Sequence, residues 1–117
     1  MKILLIDVLT KQLACKNKTV SLTEKEFMLF EYLSSRREKS NIPVSNVINY
    51  VWQGREKAIG RLNVSQLIFR LRRKLELLGN SADITFSMSN GISFYFLDNC
   101  IILRSSLFTR ILTTLIP

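Results

Sequence analysis

The sequence predicts an α+β domain in which short antiparallel strands come first, three helices form the centre and a β-hairpin closes the fold. Three observations carry the prediction: β-type runs separated by polar turns in the first 22 residues, a long amphipathic pattern over 63–78, and two apolar runs flanking Ser89-Asn90-Gly91. At 117 residues the chain suits one core and leaves no room for a second domain of similar size.

Residues 2–8 and 11–15 have strand character, and 19–22 follow the polar Lys16-Asn17-Lys18 turn as a third strand. MKILLIDV has only a short apolar run and no small-residue cleavage pattern, so it suits a strand better than a signal peptide. A helix opens at Thr23, whose spacing to Glu26 is that of a capping box; Phe27, Leu29, Phe30 and Leu33 supply its buried stripe. The polar run around Arg36-Arg37-Glu38-Lys39 ends it. Pro43 bars a helix before it, and Ser45 is the expected cap of a second helix carrying Val47, Ile48, Val51 and Trp52. A charged loop at 53–60 ends in Gly60, and the long third helix runs to Gly79-Asn80. Runs at 84–88 and 92–96 then form the hairpin. Strands, three helices and a hairpin in this order make a winged helix-turn-helix.

The third helix is the most informative element. Val64, Leu67, Ile68, Leu71, Leu75 and Leu78 build one apolar face, while Gln66, Phe69 and Arg73 project from the other with Arg70 beside them. One helix can therefore be anchored in a core and offer cations and hydrogen-bond donors to a polyanion. Seventeen Lys+Arg against nine Asp+Glu give net +8 and a pI near 9.9. Residues 55–76 hold seven cations (Arg55, Lys57, Arg61, Arg70, Arg72, Arg73, Lys74) against Glu56 and Glu76, which is +5 of the +8. Charge concentrated in this way steers and holds a polyphosphate.

These residues resemble the winged DNA-binding domain of OmpR/PhoB-type response regulators and their ToxR/CadC-like relatives. The resemblance runs over about residues 3–97 and rests on Leu22-Thr23-Glu24-Lys25-Glu26-Phe27, Val51-Trp52, Leu71-Arg72-Arg73-Lys74-Leu75 and Gly91-Ile92-Ser93-Phe94-Tyr95-Phe96, in that order. It implies that the third helix lies in the major groove of double-stranded DNA. It places Leu62, Gln66 and Arg70 at groove-facing positions and Leu67 and Arg72 beside the phosphates. Gln66 suits adenine N6/N7, Arg70 suits guanine O6/N7, and Leu62 and Phe69 offer apolar contact to a thymine methyl. For Phe69, packing against the second helix is an equal reading. Arg61, Arg72, Arg73 and Lys74 are cast as phosphate contacts, and Trp52 as core.

The chain departs from the family pattern in the wing. Asn90 stands where an arginine is usual, Ser93 replaces a glycine, Phe94 replaces a tyrosine, and 84–96 contain no Lys or Arg. A wing contact through Ser89, Asn90 and Ser93 would therefore lack its usual minor-groove cation. Asp7, although it follows a strand like a receiver-domain acid, has no acidic neighbours and suits a strand end.

The expected organisation is a DNA-binding domain over 1–97 and an apolar amphipathic tail over 98–117. In the tail, Leu107, Phe108, Ile111, Leu112, Leu115 and Ile116 pair at four-residue spacing, and Arg104 and Arg110 break up any span-length apolar run. A helix docking on the sheet or on a second copy, the latter giving a homodimer, is the first reading; an anionic membrane surface is the second, and a remnant with no role the third. Cys15 and Cys100 have no paired spacing and the chain has no histidine, which leaves no zinc pattern and suits a reducing, cytoplasmic compartment. No nucleophile elbow, carboxylate pair or phosphate loop suggests an enzyme or a cofactor. Two functions follow: a sequence-specific, double-stranded DNA-binding transcriptional regulator whose 53–60 loop is open to RNA polymerase or another regulator, or a protein-interaction module on the same fold that binds another regulator without strong DNA affinity.

Overall fold

The structure, a computed structural model, describes residues 2–36, 41–79, 82–87, 91–96 and 100–105. Strands β1 (Lys2–Asp7), β2 (Gln12–Cys15) and β3 (Lys18–Ser21) form an antiparallel meander in which Leu4 faces Cys15 and Ile6 faces Leu13. These four side chains are buried, as period-two alternation requires of a sheet with one covered face. Asp7 closes β1: its Oδ1 accepts from the N–H groups of Leu9 and Thr10 at 3.0 and 3.2 Å.

Helix α1 (Glu24–Ser34) starts at the expected capping box. Glu26 N–H donates to Thr23 Oγ1 at 3.2 Å, and Thr23 N–H donates to Glu26 Oε1 at 2.9 Å. Helix α2 (Val44–Val51) differs from expectation at its start, because Pro43 and not Ser45 is the N-cap. The Pro43 carbonyl accepts from Asn46 and Val47, and no side chain caps the helix. Proline fits there because its fixed φ and missing N–H cost nothing at a helix entry. A turn of 3-10 helix at Glu56–Ala58 leads to α3 (Arg61–Leu77), where Gly60 N–H donates to Asn63 Oδ1 at 3.0 Å.

Strands β4 (Ala82–Ser87) and β5 (Gly91–Phe96) make the antiparallel hairpin. Ile42 and Ile92 exchange two backbone hydrogen bonds of 2.7 and 2.8 Å, tying the hairpin to the segment before α2. The Phe94 ring meets Phe30 of α1 edge-on at 5.7 Å. Val64, Leu67, Ile68, Leu71 and Leu75 of α3 join one buried cluster with Leu29, Phe30, Leu33, Val47, Val51 and Trp52. Trp52 is core, as the sequence suggests.

The expected boundary between residues 97 and 98 is not the edge of the sheet. Strand β6 (Cys100–Ser105) pairs in parallel with β1 over its full length and completes a sheet of order β3-β2-β1-β6. A helix therefore cannot begin at the start of the expected tail. Arg104 forms a 3.2 Å ion pair with Glu31 of α1, and Ile102 packs partly buried against the core. The apolar pairs of 107–116 lie outside the described residues, among which no helix is long and apolar enough to cross a membrane.

Candidate nucleic-acid interface

Helix α3 is amphipathic by composition and by position. Its 3.6-residue period sends Val64, Leu67, Ile68, Leu71 and Leu75 inward, and Leu62, Ser65, Gln66, Phe69, Arg72 and Arg73 outward. Leu62 is 70% exposed and Phe69 59%, so both leave apolar surface on the outward side of the helix. More than half of the Phe69 side chain is therefore open to solvent. The Arg73 guanidinium stands 5.9 Å from its ring centroid, at the outer range of a cation–π contact. Ser65, Gln66, Phe69 and Arg70 line one shallow, open depression. Gln66 and Arg70 therefore share a surface with an exposed aromatic. Ser65 joins them there; nothing in its residue type marked it in advance.

Two expected phosphate contacts have other positions. Leu67 is fully buried in the core, so its side chain cannot flank a phosphate. Lys74 turns inward: its Nζ donates to Glu26 Oε1 at 2.9 Å and to the Ser21 carbonyl, which ties α3 to α1 and to the end of β3. Arg61, Arg72 and Arg73 are exposed on α3.

The same Glu26 carboxylate meets Arg70, whose Nε lies 3.7 Å from Oε2. Glu26 is only 2% exposed, against 30% for Lys74 and 56% for Arg70. Burial opposes its ionisation, but the Thr23 N–H and the Lys74 ammonium outweigh burial and hold the carboxyl below its ordinary range. One buried carboxylate thus completes a helix cap and pairs two cations of the outward helix. Sequence spacing shows the cap, whereas 44 and 48 residues separate Glu26 from Arg70 and Lys74, and only folding brings them together.

In the wing, Ser93 Oγ accepts from the Asn41 N–H at 3.0 Å, so its hydroxyl fastens the hairpin to the preceding segment. Ser89 and Asn90 lie outside the described residues. In the 53–60 loop, Glu56 Oε1 accepts from the Gly54 N–H at 2.9 Å, with Gly54 at φ +82°.

A family model described as "Transcriptional regulatory protein, C terminal" matches residues 17–91. The chain belongs to this family. The match runs from the turn before β3 to the first residue of β5 and so contains all three helices. Membership agrees with the strand, helix and hairpin order, and makes this an OmpR/PhoB-type winged-helix domain of the DNA-binding, transcription-regulating class. No curated protein matches the chain.

Proposed function

We propose that this protein is a sequence-specific, double-stranded DNA-binding transcriptional regulator acting in the cytoplasm without a catalytic step. The observation that carries the reading is the outward face of α3, where Leu62, Gln66, Phe69 and Arg70 stand exposed on a helix fixed by five buried residues. Gln66 would read adenine, Arg70 guanine, and Leu62 and Phe69 thymine methyls. Arg61, Arg72 and Arg73 would hold phosphates and set the register. Ser89 and Asn90, which lie between the two hairpin strands in sequence, would add an uncharged contact, while Ser93 ties the hairpin to Asn41. The exposed Gln53, Arg55 and Lys57 suit the 53–60 loop to RNA polymerase or another regulator.

In vitro selection from a random duplex pool tests this reading: a recovered consensus bound with steep salt dependence is expected, and a pool that stays random would refute sequence reading. One feature favours a protein-binding role alongside or in place of DNA. On the outer face of the sheet, Ile3 and its register partner Ile101 are both exposed, with exposed Leu103 two residues on. A stable complex with another regulator or a second copy, together with negligible DNA affinity, would support that role instead.

A further inference from the structure

The position of Glu26 is not explained by helix capping alone. A capping-box glutamate needs only the N–H of the cap residue and works at an exposed helix start, whereas Glu26 is buried and paired to two cations on the opposite helix. Its two oxygens divide the work. Oε1 takes Thr23 N–H and Lys74, each at 2.9 Å, and Oε2 faces Arg70 Nε at 3.7 Å. Lys74, itself bonded to the Ser21 carbonyl, and the Thr23 N–H together fix Oε1, so the other oxygen, which faces Arg70, has a set position.

Arginine has a long, rotamer-rich stem, and on a bare cationic helix it can satisfy itself on any nearby phosphate. A fixed anion beside Nε restricts that freedom. A bidentate guanine contact needs two parallel N–H donors, which the η nitrogens supply while Nε stays with Glu26. The carboxylate also cancels part of the charge that α3 offers to the DNA backbone, the sequence-independent component of binding.

We propose that Glu26 is a positioning residue for DNA recognition: it holds Arg70 ready for a guanine edge and lowers the helix's general attraction to phosphate, favouring discrimination over indiscriminate affinity. This rests on the reading of Arg70 as a base contact.

The test compares the full chain with Glu26→Gln, Arg70→Ala and the double variant. The ligands are a duplex recovered by selection, its single-base-pair variants and a shuffled duplex. Glutamine keeps the capping geometry and removes the charge. Glu26→Gln is expected to bind the shuffled duplex more tightly, with a salt slope steeper by about one. It should also lose roughly fivefold of its discrimination at the base pair that Arg70→Ala identifies, a fraction of what one bidentate pair supplies. In the Arg70→Ala background the same change should leave discrimination unaltered, which a purely structural role of Glu26 would not predict.

If Arg70→Ala loses discrimination and Glu26→Gln keeps it, the positioning role is overturned and the base-reading assignment stands. If Arg70→Ala loses none, both are overturned. Should Glu26→Gln fail to fold, the Arg70 Nε–H resonance of the unmodified chain decides, assigned by its disappearance in Arg70→Lys. Its chemical shift is expected to move as the Glu26 carboxyl is titrated in the folded chain, and a shift that does not follow that carboxyl overturns the proposal.

Discussion

Arg70, Gln66, Arg73 and Lys74 lie within three turns of one helix, yet their different surroundings predict different effects. Arg70→Ala should cost about 1–3 kcal/mol of specific binding and relax preference at one base position, and Gln66→Ala should do so at a neighbouring one. Competition binding against single-base-pair variants checks this, and unchanged selectivity in both would remove them from the groove. Arg73 is exposed, so Arg73→Ala should weaken binding to all duplexes alike and lower the salt slope by about one. Lys74 belongs to the interior network. Lys74→Ala should cost roughly 1–2 kcal/mol of folding stability in urea unfolding, less than a fully buried pair because its side chain is 30% exposed. Its salt slope should stay near that of the unaltered chain. Glu26 adds a pH signature. Its carboxyl is held below its ordinary value, so its stabilisation is fully present above the unfolded value near 4.5 and fades as pH falls through the folded value. Acid unfolding of Glu26→Gln should lack that component, and superimposable acid limbs would argue against the ion network.

The hairpin is positioned by contacts that its composition does not announce. Gly91 opens β5 at φ +87°, and a Cβ there would stand 2.4 Å from the Ile42 carbonyl oxygen. Both the backbone conformation and the close approach of Ile42 therefore demand glycine. Gly91→Ala should destabilise the domain by about 2 kcal/mol or more and loosen the Ile42–Ile92 bridge first. Hydrogen exchange at the Ile42 and Ile92 amides reports this directly, and equal protection in variant and parent would contradict it. Helix α3 is held differently, by five buried aliphatic side chains. Truncating fully buried Leu67 or Leu71 would act on the core and only indirectly on the outward face of the helix.

At the scale of the whole molecule, β6 changes what the end of the chain does. Six residues pair with β1, Ile102 reaches the core and Arg104 meets Glu31, so the sheet is built from both ends of the domain. Deleting residues 100–117 should therefore lower Tm by roughly 5 °C or more, with the affinity of the remaining folded fraction for DNA within a few-fold of the parent. Thermal melting with a binding titration checks it. An unchanged Tm would return β6 to the status of a dispensable tail. The apolar outer strip of Ile3, Ile101 and Leu103 belongs to the same sheet, and its side chains alternate with buried Leu4 and partly buried Ile102.

The order of elements through β5, the capping box at Thr23 and Glu26, the buried stripe of α3 and the concentration of positive charge were all determined by the sequence, because each depends on residues within a few turns of one another. The outward position of Gln66, Phe69 and Arg70 was legible for the same reason: helical period alone separates them from Leu67 and Leu71. Tertiary structure decided which cations remain on the surface. Lys74 and Arg70 look alike in a helical pattern, but Lys74 is drawn inward by a carboxylate 48 residues away, and no local rule encodes that distance. It also decided that Ser93 secures the hairpin and that 100–105 is a strand. Strand pairing is a contact between distant segments, and the periodicity of a short apolar run does not identify its partner.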